Sequence, residues 1–233
     1  MTSMNRGASL LAPMLTPRSI AFVGASQRPG TPGNAVVREC LRGEFPGTIY
    51  PINPRYGEVE GLACYPSLDA LPEAPDLVVL ALGNAHLGAA LADAIRSGAK
   101  AGVIFESAFL QEDSDPPLFR RLKTMAEAAN FPVCGPNCTG FVNLDGHTRV
   151  AYAPHDHNVE LGHATFLSHS GSSFGGFIRN ERRLRFNLAV APGKEIVASF
   201  ADYMDFALEL ESTRVIGMMI EEVRDPARFV AAL

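Results

Sequence analysis

Short, almost continuously apolar runs alternate along this chain with segments whose apolar residues recur every three or four positions. The runs at 19–23, 48–52, 77–82, 102–105 and 131–134 read as strands. Their lack of polar alternation predicts a parallel sheet buried on both faces. Residues 35–41, 85–96 and 118–129 space their apolar positions as helices do. Pro116 and Pro117 suit the first turn of the last of these, and Ser97-Gly98 the end of the one before. From 143 to 162 the chain carries Asp, Gly, His, Pro and Asn with no period beyond a short run at 150–153, so a linker is expected. The alternation then resumes, with strands at 165–168, 187–190 and 215–220 and helices at 172–183 and 197–210. Asp225-Pro226 has the form of a cap and first turn for a final helix. The pattern is α/β: a doubly wound first domain, then a second alternating series short of a full sheet. The expected divisions are an N-terminal arm at 1–16, a first domain at 17–145, a linker at 146–163 and a partial second domain at 164–233. A fragment of a longer protein, or one half of a split one, is expected.

Composition narrows the class only slightly. Hydrophobic residues make up 47% of 233 and charged residues 19%, which suits a globular chain with a sizeable core. A net charge of −5 gives no reason to expect nucleic acid or an anionic membrane surface. Four cysteines without dense pairing favour a reducing cytoplasm. The apolar stretch 8–15 is short, is interrupted by Pro13 and lacks a small-residue cleavage pattern, so it reads as an arm and not a signal peptide. No run approaches the roughly 20 apolar residues of a membrane span.

Four segments carry candidate chemistry. After the first strand, Gly24 permits a tight exit and Ser26 offers a hydroxyl, while Arg28 adds charge. Gly33 allows close backbone approach before a helix that begins at about Asn34. A strand, a glycine-rich loop and a helix N-terminus suit a phosphate. The spacing is not that of a dinucleotide site, because Ser26 stands where the second glycine is expected. The second strand runs into Tyr50-Pro51-Ile52-Asn53-Pro54-Arg55, with no carboxylate for the ribose of NAD and an arginine suited to a phosphate. Third, Cys134-Gly135-Pro136-Asn137-Cys138 lacks the second ligand pair that zinc needs, and reads as a rigid turn aiming Asn137 at the same crevice. Fourth, Ser168-His169-Ser170-Gly171-Ser172 leads into a helix, so N–H groups and the hydroxyls of Ser170 and Ser172 form an anion site. A Gly-x-Ser-x-Gly nucleophile turn is absent there. His155-Asp156-His157, with His163, reads as a solvated loop and not a metal site. The charges at 179–185 read as the exposed end of a helix, and those at 112–115 as an acidic loop.

Five pieces in order resemble the NDP-forming acyl-CoA synthetases, relatives of the succinyl-CoA synthetase α subunit. They are P-R-S-I-A-F-V-G-A-S from Pro17, I-Y-P-I-N-P-R from Ile49, G-P-N-C-T-G from Gly135, S-H-S-G from Ser168 and I-E-E-V-R-D-P-A-R-F from Ile220. The resemblance implies a Rossmann-like CoA-binding domain followed by an incomplete flavodoxin-like domain. It implies an acyl-CoA that exchanges with phosphate to give an acyl phosphate and free CoA. A histidine then carries the phosphoryl group to ADP or GDP, with Mg2+, on an ATP-grasp module in the same gene or in a separate subunit. CoA would be lined by Gly24, Ala25, Ser26, Arg28, Gly33, Asn53, Arg55 and Asn137. Phosphate would lie between two helix N-termini, one supplied by Ser170, Gly171 and Ser172 and the other opened by Gly193 or Lys194. Glu221 aligns with the carboxylate that contacts the phosphorylated histidine, which is expected beyond Leu233. His169 sits in the phosphate cradle and is not that histidine. Gly193-Lys194 stands in place of the family's usual Gly-Asn, which weakens the second anion site. Two other readings remain: a noncatalytic CoA-responsive module, and an NAD(P) oxidoreductase domain. The acyl group is not legible, and an unfinished second sheet leaves an edge that invites pairing into an oligomer.

Overall fold

A computed structural model describes residues 4–152, 160–179 and 184–233. The first part forms α1 (Met4–Leu15), β1 (Ser19–Val23), α2 (Pro32–Arg42) and β2 (Thr48–Ile52), then a small hairpin of β3 (Glu58–Val59) and β4 (Leu62–Ala63). It continues through β5 (Leu77–Leu80), α3 (Leu87–Arg96), β6 (Ala101–Ile104), α4 (Leu118–Ala128) and β7 (Val133–Cys134). The second part comprises β8 (Gly140–Asn143), β9 (Thr148–Ala151), β10 (Ala164–Ser168), α5 (Gly171–Ile178) and β11 (Phe186–Ala191). It closes with α6 (Phe200–Glu209), β12 (Val215–Met219) and α7 (Pro226–Ala232).

The first sheet has the order β2-β1-β5-β6-β7 with every pair parallel. Alternate residues of its strands enter different cores, as a pleated sheet covered on both faces requires. Ile20, Phe22, Leu77 and Val79 join one cluster, whereas Ala21, Val78 and Leu80 join the other. Helix α3 turns Leu87, Ala90, Leu91 and Ala94 to the second cluster, and α4 turns Leu118, Leu122 and Ala126 to it. Spacings of three, four and seven on α3 and of four and eight on α4 place these residues on one stripe of each helix. Helix α2 presents Val36, Val37 and Cys40 to the opposite cluster.

The second sheet has the order β12-β10-β11-β8-β9. Its first three strands are parallel, and β8 and β9 add as an antiparallel hairpin. The expected linker at 146–163 is therefore corrected, because Thr148–Ala151 is a sheet strand with Thr148, Val150 and Ala151 buried. The second sheet already begins at Gly140, inside the stretch assigned to the first domain. A strand was hidden there because a four-residue run directly after a turn motif has too few positions to show a period.

The segment expected as an arm is a helix in the core. Leu11, Met14 and Leu15 of α1 are fully buried, and the helix packs along α6. Asn143 Nδ2 donates to the Leu15 carbonyl at 2.8 Å, and the Tyr203 hydroxyl meets Met14 Sδ at 3.7 Å. Leu11, Met14 and Leu15 share one continuous cluster with Phe22, Val36, Leu188 and Tyr203, which joins the two sheets.

Candidate functional site

The carboxyl ends of β1, β2 and β5 open onto a cleft of about 690 Å3. Of the expected CoA-site residues, Gly24, Ser26, Arg28, Gly33, Asn53 and Arg55 line it. Ala25 does not; it is fully buried, and its carbonyl accepts a hydrogen bond from Asn53 Nδ2 at 2.8 Å. Asn53 thus ties the exit of β2 to the glycine loop, while its Oδ1 accepts from the Arg55 N–H at 3.0 Å.

The loop has no room for side chains at two points. Gly24 has φ +91°, and a Cβ there would stand 2.5 Å from the Ala81 carbonyl oxygen. A Cβ on Gly33 would stand 1.9 Å from the Gly24 carbonyl oxygen, so the start of α2 lies directly against the loop. Helix α2 begins at Pro32, two residues earlier than the sequence pattern suggests, because proline at the first turn loses no intrahelical bond. The buried Asn34 donates from Nδ2 to the Ser26 carbonyl at 2.9 Å and to Glu60 Oε1 at 2.6 Å. Gln27 Nε2 donates to the Glu58 carbonyl at 2.7 Å, so the β3–β4 hairpin braces the loop from outside.

Charge in the cleft is divided. Arg96 is committed to Asp93 at 2.8 Å and to Asp69 at 3.6 Å. Arg28 and Arg55 form no ion pair among the described residues and remain available to a phosphate. Sequence reasoning missed Asp69, Asp93, Arg96 and His86 in this wall. Only the pairing of Asp93 and Arg96 three apart on a helix was visible, and that spacing reads equally as an exposed surface.

Asn137 does not line this cleft. It lines a neighbouring cavity of about 470 Å3, which shares Pro32, Ala81 and Leu82 with the first. Its backbone, at φ +58°, donates to the Glu106 carbonyl at 2.8 Å. The turn it belongs to contacts both halves of the molecule. Gly135 N–H donates to the Pro192 carbonyl at 2.8 Å and Lys194 N–H to the Pro136 carbonyl at 2.9 Å. A Cβ on Gly171 would stand 2.4 Å from Thr139 Oγ1, which brings the start of α5 against the same turn. Burial pushes the Cys138 thiol well above its ordinary range, so it is no thiolate nucleophile.

The residues expected to hold phosphate stand at the start of α5. Ser170 is the N-cap, its Oγ accepting from Ser173 N–H at 3.3 Å and lying 3.1 Å from Ser172 Oγ. Gly171 and Ser172 are exposed in the first turn, where N–H groups have no intrahelical carbonyl. The second expected N-terminus is corrected. Gly193 opens no helix; α6 starts at Phe200, after a loop in which Glu195 has φ +51° and Val197 φ +79°. Asp202 Oδ2 accepts from both Ser199 N–H and Oγ–H at 2.8 Å, so that helix start is already capped by its own side chain. Gly193 instead packs where a Cβ would meet the Pro136 carbonyl at 2.4 Å. Lys194 directs its ammonium over the Phe119 ring at 5.4 Å.

Glu221 is exposed, and it meets the cradle through its backbone: its N–H donates to His169 Nδ1 at 3.0 Å. The carboxylate on His169 is Glu195, whose Oε1 lies 2.9 Å from Nε2. With Nδ1 accepting from an amide, the imidazole proton sits on Nε2 and is donated to Glu195. Among the described residues, Glu195 Oε2 is buried with no hydrogen-bond partner. Burial, chiefly, raises the Glu195 carboxyl above its usual range, although His169, the Phe200 N–H and Arg224 act the other way. Neither residue's partnership was legible, because Glu195 lies in an irregular loop. Among the described residues no cluster of His, Cys, Asp and Glu could hold a metal; residues 155–157 lie outside them.

Residues 18–143 match the sequence model of the family described as "CoA binding domain", which is more than half of the chain. The chain belongs to this CoA-binding family. Residues 161–233 match the "Succinyl-CoA ligase like flavodoxin domain", so the CoA-binding domain is followed by a ligase-type second domain. The chain is 28% identical over 224 residues to acetate–CoA ligase [ADP-forming] II of Archaeoglobus fulgidus, covering 94% of this chain and 33% of that one. It is 30% identical over 228 residues to a trans-feruloyl-CoA synthase from an unknown prokaryotic organism, covering 94% and 32%. A solved structure, the dinucleotide-forming acetyl-coenzyme A synthetase 1 of Ca. Korarchaeum cryptofilum with phosphate and ADP, superposes with a TM-score of 0.87. Identity there is 26%, over 95% of this chain and 48% of the other. The CoA-binding chain thus spans about a third of the two curated relatives and about half of the solved chain. No helix among the described residues is long and apolar enough to cross a membrane.

Proposed function

We propose that this chain is the CoA-binding portion of an NDP-forming acyl-CoA synthetase. In the reaction, acyl-CoA and phosphate give an acyl phosphate and CoA. A histidine takes the phosphoryl group from the acyl phosphate and passes it, with Mg2+, to ADP or GDP on an ATP-grasp partner. The observation that carries this reading is the cleft itself: its glycine loop, and the guanidiniums of Arg28 and Arg55 that form no ion pair among the described residues, suit the phosphates of CoA. The neighbouring cavity shares Pro32, Ala81 and Leu82 with it and is lined by Asn137, whose turn packs against the start of α5. Gly24, Ser26, Arg28, Gly33, Asn53 and Arg55 would hold CoA, and Ser170, Gly171 and Ser172 the phosphate. Glu221 would support the phosphorylated histidine, with His169 and Glu195 fixing its backbone. The two relatives are named for acids as different as acetate and ferulate, so their names leave the acyl group open.

The self-capped start of α6 and the turned-away Lys194 favour one second reading, a CoA-responsive module that binds without turnover. Both readings require CoA. Calorimetric titration with CoA, desulfo-CoA and NADH tests them together. CoA and desulfo-CoA should bind alike, NADH at least about tenfold more weakly, and Arg55→Ala should weaken CoA by about tenfold, as loss of one charge-assisted contact does. Tighter binding of NADH than of CoA would contradict both.

A further inference from the structure

The cavity of about 470 Å3 beside the CoA cleft is lined on one side by an aromatic pair. The rings of Phe105 and Tyr152 stand 6.0 Å apart and are tilted by 45°. Pro32, Ala81 and Leu82 line both this cavity and the CoA cleft, so the two spaces are immediate neighbours and a group carried on the end of CoA would lie beside this one. Gly83 keeps one side open, because nothing lies within 4 Å of the position its Cβ would take. The volume falls within the roughly 300–1,000 Å3 of pockets that bind drug-sized molecules. An acetyl group would leave most of it to water.

The polar lining has a definite sign. Glu106 is the one charged residue in the lining and Asn137 adds an amide, and no Lys, Arg or His lines the cavity among the described residues. Ser107 Oγ is already engaged by Asn84 Nδ2 at 3.3 Å. Glu106 therefore opposes a second carboxylate on the acyl chain, and no cation among the described lining residues would compensate it. A flat, neutral group suits the tilted ring pair, since aromatic rings gain from offset or edge contact beyond the area they bury.

We infer that this cavity is the acyl subsite and that it selects an aryl-bearing monocarboxylic acyl group over acetyl, straight-chain or dicarboxylic ones. This rests on the proposed CoA reading, and the test separates the two. The whole chain is titrated with CoA, acetyl-CoA, hexanoyl-CoA, succinyl-CoA and phenylacetyl-CoA. Phenylacetyl-CoA should bind at least about tenfold more tightly than CoA or acetyl-CoA, the scale on which an apolar pocket discriminates. Succinyl-CoA should bind no better than CoA. The ratio of the phenylacetyl-CoA and CoA constants should fall towards one in Phe105→Leu and in the exposed Tyr152→Ala. Binding of free CoA by the same sample reports a folded variant. Equal affinity for CoA and phenylacetyl-CoA overturns the subsite and leaves the CoA reading standing. An equal gain with hexanoyl-CoA overturns the aryl preference. Absence of binding by CoA and every thioester overturns the CoA reading and the inference with it.

Discussion

At the scale of single residues, His169 and Glu195 form a buried contact directly before the start of α5. The imidazole is held at both nitrogens, by the Glu221 N–H and by Glu195 Oε1, and its face packs 4.6 Å from the Phe200 ring. The remaining oxygen of Glu195 has no hydrogen-bond partner among the described residues, and a buried carboxylate so placed opposes folding when it is charged. Its carboxyl is raised in the folded chain, so the native state keeps a proton that the unfolded chain has already lost. Stability attributable to this group therefore falls as pH rises from the ordinary glutamate value through the raised one. Glu195→Gln keeps an oxygen for the His169 Nε2–H and removes the charge. It should match the native chain in urea unfolding near pH 4 and exceed its stability near pH 8 by about 1 kcal/mol or more. A variant less stable at pH 8 would mean that the charge itself holds the loop. None of this was readable from the chain, where Glu195 and His169 stand 26 residues apart with no pattern joining them.

At the scale of elements, most of the strands and helices follow from periodicity alone. β1 and β2 fall on the residues their apolar runs predict, because a strand buried on both faces has no alternative reading within so short a run. The misses share a cause. Helix α1 contains Pro13 and a single apolar stripe of Leu11, Met14 and Leu15, which reads as an arm until α6 is there to cover it. Strands β3, β4, β8 and β9 are two to four residues long, too short to show a period, and of them only β8 pairs with a strand distant in sequence, β11. The candidate site divides in the same way. Gly24 and Gly33 were legible because backbone approach admits only glycine there, whereas the role of Gly193 was misread from its neighbours in sequence. Helix α7 gives a test at this scale. Arg228 Nη2 reaches Asp202 Oδ1 and Asp205 Oδ2, both at 2.8 Å, and both aspartates are buried on α6. Arg228→Leu leaves two buried carboxylates without their cation. It should cost about 3–5 kcal/mol, measured by chemical denaturation, because removing one member of a buried ion pair strands the others. A loss below about 1 kcal/mol would show α7 to be held by its apolar contacts instead.

At the scale of the whole molecule, the two sheets share one apolar core through α1, α2 and α6, and the turn at 135–139 lies where their ligand-facing edges meet. On the proposed reading, a thioester held over the first sheet would face a phosphate held at α5 across that turn. The central claim is that the cleft above β1, β2 and β5 takes the phosphate-bearing part of CoA. A crystal structure of the chain grown with CoA tests it most directly. The account predicts pyrophosphate density against the loop from Gly24 to Gly33, with the guanidiniums of Arg28 and Arg55 turned to the phosphates. A cleft left empty at saturating CoA, or one that takes NADH in its place, would contradict it.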